Sequence, residues 1–232
     1  MVFVHGGAGT GKSSLIRWLS ENGAIHVNLA PTGLAALNIQ GSTIHRFFGY
    51  PSVDLFPKNA KYAVPRNSLS ILENAKVICI DEISMVRSDL MDAIDRSLRS
   101  CGDKDRPFGG KNLLLVGDLY QLPPIVKKDT QDVFRNYNPS ADPANSWASE
   151  WFLDADVFRQ VGIKRIDLTH VFRQQDQTFI NLLNGIRTYN NIQGNLEKLN
   201  SLVKIGSAAP EGNSVYLTFT NNVADRINAE KI

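Results

Sequence analysis

The run Gly6-Gly7-Ala8-Gly9-Thr10-Gly11-Lys12-Ser13 constrains the fold of this chain more than any other stretch. It matches the spacing G-x-x-x-x-G-K-[ST] in the context that spacing needs, after the apolar segment Met1-Val2-Phe3-Val4 and before the helical pattern Ser14-Leu15-Ile16-Arg17-Trp18-Leu19. Glycines leave room for backbone N–H groups to turn inward on an anion, and a helix starting at such a loop adds its partly positive end. Lys12 is then in reach of β- and γ-phosphates, and the Ser13 hydroxyl is in reach of a Mg²⁺ ion. Gly7, Gly9, Thr10, Gly11, Lys12 and Ser13 are therefore the candidate residues for binding ATP with Mg²⁺. A glycine-rich turn that merely opens a helix has the same local pattern, so the remainder of the chain has to decide.

The remainder alternates strand and helix. The short stretch Ala24–Ala30 reads as a second strand, stopped by Pro31-Thr32-Gly33 before the helical segment Leu34–Ile39. A Ser/Thr cap at Ser42-Thr43 opens a short helix carrying His45, Phe47 and Phe48, and on residue type alone core packing outweighs base stacking for the two aromatics. Residues 50–68, with Pro51, Pro57 and Pro65 among scattered cations, predict a loop-rich surface insertion. Val77-Ile78-Cys79-Ile80 is apolar at every position, the mark of a strand covered on both faces, and it runs into Asp81-Glu82. Open α/β sheets bind ligands at such strand ends. Asp81 is placed there to hold Mg²⁺, directly or through water, and Glu82 to orient and deprotonate an attacking water.

A helix with Leu90, Ile94 and Leu98 on one face follows, then a strand Leu113–Val116 leading into Gly117-Asp118-Leu119-Tyr120-Gln121. Gln121 carries both a donor and an acceptor, which suits sensing a γ-phosphate or the attacking water, whereas Asp118 reads as a turn residue. Trp147, Trp151 and Phe152 predict a packing helix. The pattern restarts after a boundary near residues 160–165, with a strand Ile166–Thr169, the segment His170–Gln174 and a helix carrying Phe179, Leu182, Leu183 and Ile186. At the far end, Ser214–Thr220 reads as a strand entering a helix over Asn221–Asn228.

Composition adds exclusions. With 25 Lys+Arg against 23 Asp+Glu the formal balance is +2, which neither demands nor excludes a polyanionic partner. Cys79 and Cys101 stand far apart and the four histidines are scattered, so neither a disulfide framework nor a zinc site is indicated. There is no secretory leader pattern and no apolar run of membrane-spanning length, and the expectation is an intracellular protein with no membrane partner.

Taken together, eight segments resemble the PIF-type and RecD-like DNA helicases of superfamily one, the group that travels 5′ to 3′. They are GGAGTGKS (Gly6–Ser13), APTGLAA (Ala30–Ala36), GSTIHRFFG (Gly41–Gly49), IDEISM (Ile80–Met85), GDLYQLPP (Gly117–Pro124), LTHVFRQ (Leu168–Gln174), LNGIR (Leu183–Arg187) and LTFTNNVADRIN (Leu217–Asn228). The pair GSTIHRFFG and GDLYQLPP points to the PIF-type branch. The resemblance implies an α/β fold: a RecA-like P-loop NTPase domain with a mainly parallel sheet over residues 1–162, and an incomplete second RecA-like domain over 163–232. Residues 50–68 then stand where the family places its small strand-separating subdomain. Lys12 and Ser13 become phosphate and Mg²⁺ ligands, Asp81 the metal carboxylate and Glu82 the general base. Gln121 couples the γ-phosphate to DNA, and Arg173 is an arginine finger supplied by the second domain. Pro31, Thr32, His45, Phe47 and Phe48 fall in segments that line the DNA path. The implied partners are single-stranded DNA and tailed duplex DNA, the complete protein acting as a monomer in repair or recombination. Because the second-domain pattern stops early, the chain as it stands is expected to bind Mg²⁺-ATP weakly and not to unwind a duplex. A nucleotide-dependent DNA-binding module or switch without unwinding activity is the alternative.

Overall fold

A computed structural model describes residues 1–202, 216–218 and 220–231. The first compact unit, residues 1–190, is built on six strands: β1 (Val2–Gly6), β2 (Val27–Ala30), β3 (Ser42–Thr43), β4 (Val77–Ile80), β5 (Asn112–Gly117) and β6 (Lys164–Leu168). Their order is β3-β2-β4-β5-β1-β6 and every pairing is parallel. Parallel strands need covered crossovers. These are supplied by α1 (Lys12–Glu21), α2 (Gly33–Asn38), α3 (Ile44–Phe48), α4 (Arg66–Asn74) and α5 (Ser88–Cys101), and α6 (Gln177–Arg187) follows β6.

Strand alternation divides the core into two layers. Phe3, Leu29, Ile78, Ile80 and Leu115 point to one face, where they meet Ile44 and Phe48 of α3 and Leu90, Ile94 and Leu98 of α5. Their neighbours Val4, Ala30, Cys79 and Val116 point to the other, against Ile16 of α1 and Ala35 and Ala36 of α2. The reading of Val77–Ile80 as a strand covered on both faces is thereby realised. Among the described residues no helix is long and apolar enough to cross a membrane.

Three expectations are revised. The strand expected to open a second domain at residue 163 instead joins the first sheet, β6 pairing with β1 from Val2↔Lys164 to Gly6↔Leu168, and the chain divides between Asn190 and Asn191. The segment around Trp147 is not helical. Asp92 of α5 accepts hydrogen bonds from the Trp147 indole N–H at 2.6 Å and from the backbone N–H groups of Asp156 and Val157 at 3.0 Å, and these long-range bonds hold the chain in short 3-10 turns at Phe152–Asp154 and Asp156–Arg159. The stretch 50–65 has no helix or strand, yet it is tied down. Phe56 is buried and its N–H donates to Asp89 at 2.8 Å, Arg96 donates to the Pro57 and Ala60 carbonyls, and Lys58 pairs with Asp156 at 2.8 Å. Its last expected residues, from Arg66, already belong to α4.

The second unit, from Asn191, holds α7 (Ile192–Ser201) and α8 (Asn221–Lys231) among the described residues. Of the strand expected over Ser214–Thr220, Tyr216–Thr218 carry no regular structure, and residues 214, 215 and 219 lie outside the described residues.

Candidate active site

β1 delivers the chain at Gly6 into a tight loop that only glycine traverses without strain: Gly9 has φ +75° and Gly11, which caps α1, has φ +88°. Thr10 is buried and its hydroxyl donates to the Gly7 carbonyl at 2.9 Å. Lys12 Nζ donates to the carbonyls of Gly6 and Gly7, both at 2.9 Å, so its charge is held over the loop. Ser13 is half-buried in the first turn of α1, which has no acidic residue to offset its positive end. The glycine-rich run thus forms the tight strand-to-helix turn that its spacing predicts.

Asp81 stands directly after β4, 4% exposed, its backbone N–H donating to the Leu29 carbonyl at 2.9 Å. Its Oδ1 has no hydrogen-bond partner, nor has the buried hydroxyl of Ser84. Burial pushes the Asp81 carboxyl up to about 6; the Glu82 charge acts in the same direction, while the Glu82 backbone and the Lys12 ammonium oppose it. A buried carboxylate oxygen without a donor is costly unless a cation meets it, so Asp81 and the Ser13 hydroxyl fit Mg²⁺. Among the described residues no group of three or more His, Cys, Asp or Glu stands together. Glu82 adopts a left-handed backbone, φ 49° and ψ 44°, a strained state for a residue with a side chain. It lines a cleft of about 240 Å³ together with Thr32, Asn38, Ser84 and Gln121.

On the neighbouring strand β5, Asp118 occupies the equivalent end and is fully buried. Arg187, the last residue of α6, grips both its oxygens: Nε donates to Oδ2 at 2.9 Å and a terminal nitrogen to Oδ1 at 2.6 Å. The Tyr120 N–H and the Gln121 side-chain amide donate to the same carboxylate, each at 3.1 Å, and His5 Nε2 approaches at 3.4 Å. Burial pushes Asp118 up, but the Arg187, Tyr120 and Gln121 hydrogen bonds outweigh it and hold the carboxyl below its usual range. Sequence reasoning missed this centre. Asp118 reads as a turn residue, Arg187 enters only inside a matched segment and His5 not at all. The available signal was a second acid at the end of a second apolar strand, as at Asp81.

Arg173 is placed differently from expectation. It belongs to the same compact unit as the phosphate loop, because the β1–β6 pairing carries the chain beyond Leu168 back over that loop. The Phe172 N–H donates to the Gly9 carbonyl at 2.8 Å, and a Cβ added to Gly9 would lie 2.6 Å from that of Arg173.

The expected DNA-path residues separate. Pro31 and Thr32 are half-buried, and the Thr32 hydroxyl caps α2 by accepting from the Ala35 N–H at 3.3 Å. His45 is half-buried beside Tyr50 and Phe56; burial, reinforced by Arg87, pushes its pKa down. Phe47 and Phe48 are a correction: they are 6% and 0% exposed, set edge to face at 5.1 Å, with Phe48 stacked on Tyr50. Thr43 caps α3 so that both rings enter the core, leaving no free face for a base.

Comparison with known proteins finds relatives along most of the chain. The model for the PIF1-like helicase family matches residues 1–197. The ATP-dependent DNA helicase RRM3 of Saccharomyces cerevisiae is 38% identical over 199 residues, which cover 80% of this chain and 25% of that protein. The ATP-dependent DNA helicase PIF1 of Mus musculus is 35% identical over 193 residues, 80% of this chain and 26% of that protein. A crystal structure of Pif1 helicase from Bacteroides in complex with ADP-AlF3 and ssDNA aligns with a TM-score of 0.85 at 34% identity, over 100% of this chain and 52% of that one. The chain thus spans about a quarter of the length of these curated relatives and about half of that solved chain. With the family model matched along most of its length and a RecA-like sheet that follows the solved relative, this chain belongs to the PIF1-like helicase family.

Proposed function

We propose that the chain carries the ATP-hydrolysing site of a DNA helicase that moves 5′ to 3′ along single-stranded DNA. The observation that carries this reading is Asp81, a buried carboxylate with a partnerless oxygen at the end of β4, within the electrostatic reach of Lys12 on the phosphate loop. Loop N–H groups and Lys12 hold the phosphates, while Ser13 and Asp81 hold the metal. Bound Mg²⁺ would supply neutralisation of charge on the β- and γ-phosphate oxygens. Glu82 orients water and accepts its proton at a carboxylate oxygen. Gln121 contacts the γ-phosphate and reports it to the DNA side of the cleft that it shares with Glu82 and Thr32. Arg173, already seated on Gly9, offsets charge on the transferring phosphoryl group.

Single-stranded DNA is assigned to the surface carrying Pro31, Thr32 and His45, where Leu34 and Leu37 of α2 stand 73% and 74% exposed. Tailed duplex DNA is the proposed unwinding substrate, repair or recombination the proposed setting, and a monomer the proposed working state. Residues from Asn191 are proposed to begin a second motor domain. The relatives' names, ATP-dependent DNA helicases, support the reading. It is tested by phosphate release with and without a single-stranded oligonucleotide. Stimulation by DNA is the expected result; hydrolysis or nucleotide binding indifferent to DNA would favour a switch instead.

A further inference from the structure

We propose that Arg187 is a positioning residue for hydrolysis: lying against the phosphate loop at Gly7 and clasping Asp118, it fixes where the Gln121 amide points. The proposal rests on the nucleotide reading above. Both oxygens of Asp118 are taken by the guanidinium fork, and Oδ2 is shared with the Gln121 amide. Gln121 is itself exposed, and its side-chain hydrogen bond goes to Asp118, so Asp118 sets where that amide points. The guanidinium also lies over the Tyr120 ring at 4.8 Å, and a Cβ added to Gly7 would stand 3.5 Å from its central carbon. Arg187 is thus wedged between the turn after β5 and the phosphate loop.

The covalent path gives this wedge its reach. Arg187 ends α6, the helix that follows the segment bearing Arg173, and that segment is bonded to Gly9 through the Phe172 N–H. The fork thus touches the loop at Gly7, reaches Gln121 through Asp118, and lines one cavity with Ala8 and Arg173. A lysine would keep the charge at 187 but not the two parallel bonds to a planar carboxylate, nor the stacking on Tyr120. A salt bridge that served folding alone would change stability without changing the chemistry of bound nucleotide.

The test compares Arg187→Lys, Arg187→Ala, Asp118→Asn and Gln121→Ala by steady-state ATP hydrolysis, ATP titration and thermal melting. Displacing Gln121 should lower kcat by about 10- to 100-fold, the range expected when an acting group is misplaced by about an ångström. KM and Kd for ATP should change far less than kcat, because Lys12 and Ser13 are unaltered and the Lys12 bonds to the Gly6 and Gly7 carbonyls do not involve Arg187. Adding Arg187→Ala to Gln121→Ala should lower kcat little further, since one effect runs through the other. If Arg187→Ala does not fold, Arg187→Lys carries the test. Unchanged kcat in the Arg187 variants overturns the clasp while leaving the nucleotide reading standing, and so do independent, multiplying losses with Gln121→Ala. A wild-type protein that hydrolyses no ATP overturns the nucleotide reading and the clasp with it.

Discussion

Asp81 and Glu82 are neighbours in sequence and opposites in environment. One carboxyl is sunk at the end of β4 with an oxygen that meets no donor; the other is swung by a left-handed backbone into an open cleft. Glu82→Gln is expected to leave ATP affinity nearly intact and to lower hydrolysis by about 10²–10⁴-fold, since only the proton acceptor is lost. Lys12→Ala is expected to weaken binding itself. Nucleotide titration beside phosphate release separates the two, and equal losses of affinity would contradict the assigned roles. Asp81 predicts a pH effect. Its folded-state carboxyl titrates near 6 against an ordinary 3.8, so between those values the folded chain holds more protons than the unfolded one. Stability is undiminished below the lower value, falls as pH rises through the interval, and above it carries a penalty of about 3 kcal/mol. In metal-free buffer Asp81→Asn should therefore melt above wild type at about pH 8, by a margin that narrows toward about pH 5. A margin independent of pH would contradict the burial effect. At this scale the placement of Lys12 and Ser13 at the opening of α1, and of Asp81 and Glu82 after β4, was legible because it is set by neighbouring residues. Arg187 was not, because its partner Asp118 lies 69 residues away in sequence.

Among the elements, α3 shows how a short helix escapes pattern reading. It spans five residues with two adjacent aromatics, too few for a face to be read from periodicity, and only the Thr43 cap and the packing of Tyr50 decide that both rings turn inward. Phe48→Ala is expected to cost about 3–5 kcal/mol in denaturant unfolding, the range for emptying a buried aromatic site. Affinity for single-stranded DNA, measured where the variant is folded, should not change; loss of DNA affinity without loss of stability would restore the base-stacking role. The cap of α2 is a smaller contribution. Thr32→Ala should lower stability by about 1 kcal/mol through the lost bond to the Ala35 N–H. Stretch 50–65 illustrates the complementary limit: proline content correctly predicts an absence of regular structure, but not the Asp89, Arg96 and Lys58 bonds that fasten it to the domain.

At the scale of the molecule, a net charge of +2 gives no global attraction for a polyanion, so the proposed DNA binding has to rest on local contacts. Affinity for a single-stranded oligonucleotide should then fall with salt at a slope of about −0.7 per phosphate contact, and a slope near zero would contradict backbone binding. The sequence by itself determined the alternating α/β plan, the phosphate loop, the strand-end acids and the family, because strand periodicity, glycine at positive φ and the spacing of a phosphate loop are properties of neighbouring residues. Tertiary structure alone decided that β6 belongs to the first sheet, that Arg173 shares a unit with the glycine-rich loop, and that Asp118, Gln121 and Arg187 form one centre. Parallel pairing joins strands that lie far apart along the chain, β1 to β6 across residues 6–164, and no local pattern encodes which edge of a sheet a distant strand will take.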